Sequence, residues 1–132
     1  SFHTIKPNRI EAELLSGIRI ESQEDMLRAS DYFLNQGVKQ VFITLGERGV
    51  FYNNGKKHQL VPSPKVQVVN ATGAGDAFVA ALTFCRMKNY EIEEAVRFSM
   101  AASILALSHE ETINPNISEE KVFQKMKEAG LC

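Results

Sequence analysis

Between Val68 and Phe78 the chain runs from a β-branched strand end, Val68-Val69, through Asn70-Ala71-Thr72-Gly73-Ala74-Gly75 to Asp76, the first carboxylate of an apolar helical stretch. A strand that passes through Gly-x-Gly into a helix leaves backbone N–H groups bare and closely spaced. The helix behind them adds the positive end of its dipole, so the turn welcomes negative charge. Asp76 would repel a phosphate held there, unless it takes a proton from the hydroxyl that attacks the phosphate while the amides hold the transferring group. The layout is that of a phosphoryl-transfer site. Gly73-Ala74-Gly75 alone is equally an ordinary tight turn, and Thr72, Asp76 and Phe78 at their offsets favour catalysis, with an inactive relic of such a site as the residual reading. A dinucleotide-binding turn is disfavoured, because Phe78 stands where the third glycine of Gly-x-Gly-x-x-Gly would allow close helix-on-strand packing.

Other polar positions are less specific. Asn8 and Glu11 form an Asn-x-x-Glu pair, most economically a helix cap and its return bond. Glu13, two residues on, is expected to point to another side, into solvent. In Thr44-Leu45-Gly46-Glu47-Arg48-Gly49, Gly49 is well explained as a bend into the following strand, and Arg48 is as often a solvated loop charge as a phosphate contact. His3, His58 and His109 lack Asp or Cys at ligand spacing and are not nominated.

The elements that must position these residues follow from periodicity. Phe2 to Ile5 reads as a short strand end. Pro7 and Asn8 start a helix with Ile10, Leu14 and Leu15 on one face, ended by Gly17. Ser22 and Asp25 form a variant capping box for a surface helix whose stripe of Met26, Leu27, Ala29, Phe33 and Leu34 is buried, and Gly37 stops it. Val41-Phe42-Ile43-Thr44-Leu45 has the pattern of a buried parallel strand, its carboxyl end at the Gly46 loop. Asn54-Gly55 between Val50–Tyr52 and His58–Val61 predicts a β-hairpin. Pro62 and Pro64 then break the path before a strand at Val66 to Val69. Ala77, Phe78, Ala81, Leu82 and Cys85 mark one helix and Glu91 to Leu107 a more buried one. Ser118 is expected to cap the last helix, with Gly130 after it. The class is α/β, a mostly parallel sheet flanked by helices with a β-hairpin, and ligands in such sheets bind at the carboxyl ends of strands.

Composition narrows the function. With 132 residues the chain suffices for one modest core. Its 15 Lys and Arg against 16 Asp and Glu are scattered, which argues against nucleic-acid binding. Cys85 and Cys132 lack the spacing of a disulfide framework or zinc site and read as free thiols of a cytoplasmic protein. No apolar run approaches the roughly 20 residues of a membrane helix, and the start has no signal pattern; lacking Met, it suggests a cut or processed N-terminus.

The segment Asn70-Ala71-Thr72-Gly73-Ala74-Gly75-Asp76-Ala77-Phe78 resembles the C-terminal signature of the ribokinase-like (PfkB) family of carbohydrate and nucleoside kinases. Lys6-Pro7-Asn8-Arg9-Ile10-Glu11, Thr44-Leu45-Gly46-Glu47-Arg48-Gly49 and the helical Ala101-Ala102-Ser103 match that family in the same order. The resemblance covers nearly the whole chain. It implies that residues 1–132 are the C-terminal part of the kinase domain, the ATP and anion-hole half, without the N-terminal part that carries most acceptor contacts. The chain alone is then expected to be inactive.

The resemblance further implies that Asp76 is the catalytic base and that Gly73, Ala74 and Gly75 form the anion hole. Thr44, Gly46, Gly49 and Thr72 lie on the nucleotide side, with Thr44 and Gly46 ranked above Arg48. Asn8 and Glu11 organise Mg²⁺ through waters, as suits a hard cation that dehydrates reluctantly. Phe98, Met100 and Ile104 could line the adenine pocket by family position, though such residues at helical spacing are more often core. Most relatives have Asp where this chain has Asn70, beside a monovalent-cation site, so dependence on K⁺ is left open. Asn70, the segment Thr4 to Asn8 and the loop Glu111-Thr112-Ile113-Asn114-Pro115-Asn116 look most like the pseudouridine kinase branch. Ribokinase- or fructokinase-type activity stays open, as does a non-catalytic nucleotide-binding or assembly module. The expected partners are ATP and a small sugar or nucleoside, with a homo-oligomer as one option.

Overall fold

The computed structural model describes residues 3–64, 74–108 and 119–131. The chain divides into two compact units, Ser1–Ser63 and Pro64–Cys132. The first has the element order β1 (Thr4–Ile5), α1 (Arg9–Ser16), α2 (Gln23–Asn35), β2 (Gln40–Thr44), a 3₁₀ turn (Gly46–Arg48), β3 (Val50–Asn53) and β4 (His58–Val61).

The four strands lie side by side in chain order. β1 and β2 are parallel, whereas β2–β3 and β3–β4 are antiparallel, so the described sheet is mixed and the hairpin supplies its antiparallel part. The expected strand at Val66–Val69 and the strand position Phe2 lie outside the described residues. The hairpin forms as predicted, but through a four-residue connection rather than a tight two-residue one, since Asn53 pairs with His58. Asn54 organises that connection, its side-chain oxygen accepting from the N–H groups of Lys56 and Lys57.

Strand alternation places Val41 and Ile43 on one face of β2, where they join Phe51 of β3, Met26, Ala29 and Phe33 of α2, Ala12 of α1 and Ile20 in a buried core. Phe42 and Tyr52 point to the other face and are also buried, so β2 and β3 are apolar on both sides, as a near-continuous hydrophobic run implies. Asn53 is the polar exception. Its amide nitrogen donates to Ser30 Oγ at 2.8 Å and Asp31 Oδ1 at 2.9 Å, and its oxygen accepts from Gly55 N–H at 2.9 Å, tying α2 to the hairpin with all but one of its polar sites used.

The helix signals mostly hold. Ser22 Oγ caps the Asp25 N–H, and the Asp25 carboxylate reaches back one residue beyond the usual box, to Glu21 N–H. The peptide hydrogen bond from Glu21 is the main reason the Asp25 carboxyl titrates below its ordinary value. The stripe on α1 does not face the core. Ile10, Leu14 and Leu15 are 59%, 79% and 63% exposed, while Ala12, on the opposite side, is fully buried against the first unit's core.

The second unit holds α3 (Ala74–Met87), α4 (Ile92–Ser108) and α5 (Glu119–Glu128). Phe98 of α4 stacks on Phe84 of α3 with ring centroids 5.4 Å apart and meets Phe123 of α5 edge-on at 5.4 Å, so one aromatic cluster joins all three helices. Tyr90 completes it, its hydroxyl donating to a Glu119 carboxylate oxygen; that bond, with burial, pushes the phenol up to about 12. Phe98, Met100 and Ile104 are buried core residues of this unit. The expected cap Ser118 lies outside the described residues, and Gly130 follows α5 with φ 73°.

Candidate functional site

The carboxyl end of β2 and the start of α1 are spliced together. After Ile5 the parallel ladder lapses at Lys6 and Pro7, then resumes as a single bridge between Asn8 and Thr44, with Thr44 N–H donating to the Pro7 carbonyl at 3.0 Å. Two positions 36 residues apart in the chain thus stand side by side at the strand ends, where α/β sheets bind ligands. A pocket of about 260 Å³ opens there, lined by Asn8, Arg9, Ile10, Thr44, Leu45, Gly46 and Arg48.

Asn8 and Glu11 make a complete capping box. Asn8 Oδ1 accepts from Glu11 N–H at 2.8 Å, and Glu11 Oε1 accepts from Asn8 N–H at 2.9 Å. The structural role of this pair is therefore real, and it also holds the Glu11 carboxylate by one oxygen while the other has no protein partner among the described residues.

Glu13 corrects an expectation: it is half-buried and anchored by the protein rather than free in solvent. One carboxylate oxygen accepts from Ile20 N–H at 2.8 Å, closing the link from α1 to α2, and the other lies 3.5 Å from a terminal nitrogen of Arg9. The contact crosses the end of α1 at Gly17, where helical periodicity no longer applies, which is why the sequence did not disclose it.

The glycines of the β2–β3 connection differ in purpose. Gly46 has φ 61°, with open space where a Cβ would stand, so the requirement there is the left-handed backbone itself. Gly49 has φ 109°, and a Cβ on it would stand 2.0 Å from the Val61 carbonyl oxygen and 2.8 Å from Pro62 Cα. Close approach of two backbones explains Gly49, which is not among the pocket-lining residues.

In the second unit, Ala74, Gly75 and Asp76 form the first turn of α3, and both Gly75 and Asp76 are exposed to solvent. Gly75 has open space around its Cα, leaving the backbone approachable. Asn70, Thr72 and Gly73 lie outside the described residues, as does the loop Glu111–Asn116. The structure thus gathers Asn8, Thr44 and Gly46 around one pocket and sets Glu11 behind Asn8, while Gly75 and Asp76 belong to the other unit.

Sequence reasoning missed Arg9 and Ile10 as pocket residues. Arg9 did carry a signal: it is the first residue of α1, where a cation opposes the helix dipole and so calls for another explanation.

Among the described residues no three His, Cys, Asp or Glu side chains converge as a metal cage. A single anchored carboxylate suits Mg²⁺, which keeps its waters and is commonly shared between one or two carboxylates and substrate phosphates. No described helix is long and apolar enough to cross a membrane.

The chain has a ribokinase-like α/β fold. It superposes on a candidate sugar kinase of Clostridium perfringens with a TM-score of 0.88 at 46% identity, covering 96% of this chain and 40% of that one. It also superposes on Arabidopsis thaliana ribokinase, solved with ribose and ATP, with a TM-score of 0.81 at 32% identity, covering 94% and 40%. The profile of the pfkB family carbohydrate kinases matches residues 1–119, and the chain belongs to that family. Escherichia coli (strain K12) pseudouridine kinase is 38% identical over 128 residues, 96% of this chain and 41% of that protein. The chain accordingly spans well under half the length of these relatives.

Proposed function

We propose that the protein containing this chain transfers the γ-phosphoryl group of ATP to a sugar hydroxyl, with the 5′-hydroxyl of pseudouridine as the favoured acceptor. The observation that carries the reading is the register of Asn8 with Thr44 beside a pocket at the strand ends, in a chain whose other unit begins a helix with Gly75-Asp76. The match to pseudouridine kinase over 96% of the chain supports the choice of acceptor.

Bound ATP with Mg²⁺ supplies the transferable phosphoryl group and neutralises part of its charge. In this reading Asp76 takes the proton of the acceptor hydroxyl as its oxygen bonds to the γ-phosphorus and the bond to the β-phosphate oxygen breaks. The amides of Gly73, Ala74 and Gly75 hold the transferring oxygens. Thr44 and Gly46, with Thr72, orient the phosphates. Glu11, held by Asn8, presents its remaining oxygen to water on the metal. Asn70 offers a neutral oxygen to a monovalent cation, a weaker ligand than a carboxylate. The free, buried thiol of Cys85 and the use of ATP fit a cytoplasmic setting.

The test is acceptor-dependent ADP release by the full-length protein with pseudouridine, ribose and fructose. Turnover with pseudouridine well above the other two is expected. The 132-residue chain alone should give negligible turnover, because proximity catalysis needs the acceptor held in line with the γ-phosphate. Full-length protein that binds ATP yet releases no ADP with any acceptor would make this a nucleotide-binding module instead.

A further inference from the structure

We propose that Arg9 and Arg48 form a two-guanidinium clamp for the polyphosphate of a nucleotide in the first unit's pocket; naming the anion as a nucleotide's rests on the kinase reading above. Among the described residues the lining includes both arginines and no carboxylate, so the side-chain charge it brings to the pocket is positive. Arg9 starts α1 and Arg48 ends the 3₁₀ turn, with Thr44, Leu45 and Gly46 completing the lining.

Neither guanidinium is spent on the fold. Arg48 makes no ion pair among the described residues. Among the described residues Arg9 makes only the 3.5 Å contact with Glu13, an i,i+4 pair with the arginine side chain 48% exposed, of the kind that contributes little to stability. Its other N–H groups have no protein partner among the described residues. Glu13 is itself anchored on Ile20 N–H, so it biases the Arg9 side chain along the helix without neutralising every donor. A cation at the first position of a helix works against the dipole, so helix stability does not account for Arg9 either.

The chemistry and the size select the ligand. Each guanidinium presents a planar fork that suits a phosphate bidentately, and two forks from different elements suit an anion carrying more than one phosphate. At about 260 Å³ the pocket is smaller than most sites for whole drug-sized ligands and suits a phosphate chain whose nucleoside extends beyond it.

The experiment is calorimetric titration of the full-length protein with ATP, inorganic tripolyphosphate and adenosine, for wild type, Arg9→Gln, Arg48→Gln and Arg9→Lys, each first checked for an unchanged melting temperature. Each glutamine variant should bind ATP and tripolyphosphate about tenfold more weakly, with a shallower dependence on salt, and leave adenosine binding unchanged. Arg9→Lys should recover part of the loss. Tripolyphosphate binding equal to that of ATP would mark the site as a general polyphosphate site, still held by the arginines. Variants that bind ATP within twofold of wild type overturn the clamp, as does an equal loss for adenosine or a wild-type protein that binds neither anion. Phosphoryl transfer is not measured here, so an inactive full-length protein would refute the kinase reading and leave this result standing.

Discussion

Asp76 stands exposed in the first turn of α3, where a carboxylate is favourable to the helix whatever else it does. Its neutral isostere separates the two roles. In the full-length protein Asp76→Asn should lower kcat by about 10²-fold or more with little change in ATP affinity, the signature of a base felt in the transition state. Steady-state kinetics within a few-fold of wild type would reduce Asp76 to a helix-start carboxylate. The capping box of Asn8 and Glu11 that orders α1 also holds the Glu11 carboxylate by one oxygen, next to the pocket-lining Asn8. The pair was legible in the sequence because a capping box is closed within four residues. The hold of Glu13 on Ile20 was not, because it depends on how the chain turns after Gly17.

Among the elements, the β2–β3 connection is the most constrained. Gly49→Ala would drive a methyl group into the Val61 carbonyl and impose an unfavourable φ, and either neighbouring backbone would have to shift. A loss of at least about 2 kcal/mol is expected in urea unfolding of the chain. A loss below about 0.5 kcal/mol would show that the hairpin yields, and that Gly49 matters for something other than packing. The α1 stripe teaches the complementary lesson. Periodicity identified a helix and its end, yet the side that meets α2 and β2 is the one carrying Ala12, because an eight-residue helix lying close to its neighbours needs a small contact residue more than a large apolar one.

At the scale of the whole molecule, Cys85 reports on the second unit. Burial pushes its thiol from 9.0 up to about 12, with the Ser99 hydroxyl offsetting part of that rise. In native protein at pH 8 it should react with a thiol reagent far more slowly than in urea, since the thiolate is the nucleophile and both charge and access are denied. Below about pH 9 the thiol is protonated in the folded and the unfolded state alike. From pH 9 towards 12 the unfolded chain loses its proton first, so stability should fall across that window, and less so in Cys85→Ala. Labelling of native protein at the denatured rate would mean that α3 opens readily around this residue.

By itself the sequence determined what short-range physics can write: the caps at Asn8 and Ser22, the continuous apolar run of β2 and the hairpin around Asn54-Gly55. Each depends on residues within a few positions of one another. Only the tertiary structure decided that Asn8 meets Thr44, that Arg9 and Arg48 line one pocket, that Gly49 lies against Val61, and that Asn53 is anchored on Ser30 and Asp31. The longer-range of these contacts are set by the register of one strand against another and by the seating of a helix on a sheet. Those quantities come from the packing of residues tens of positions apart, and no local pattern encodes them.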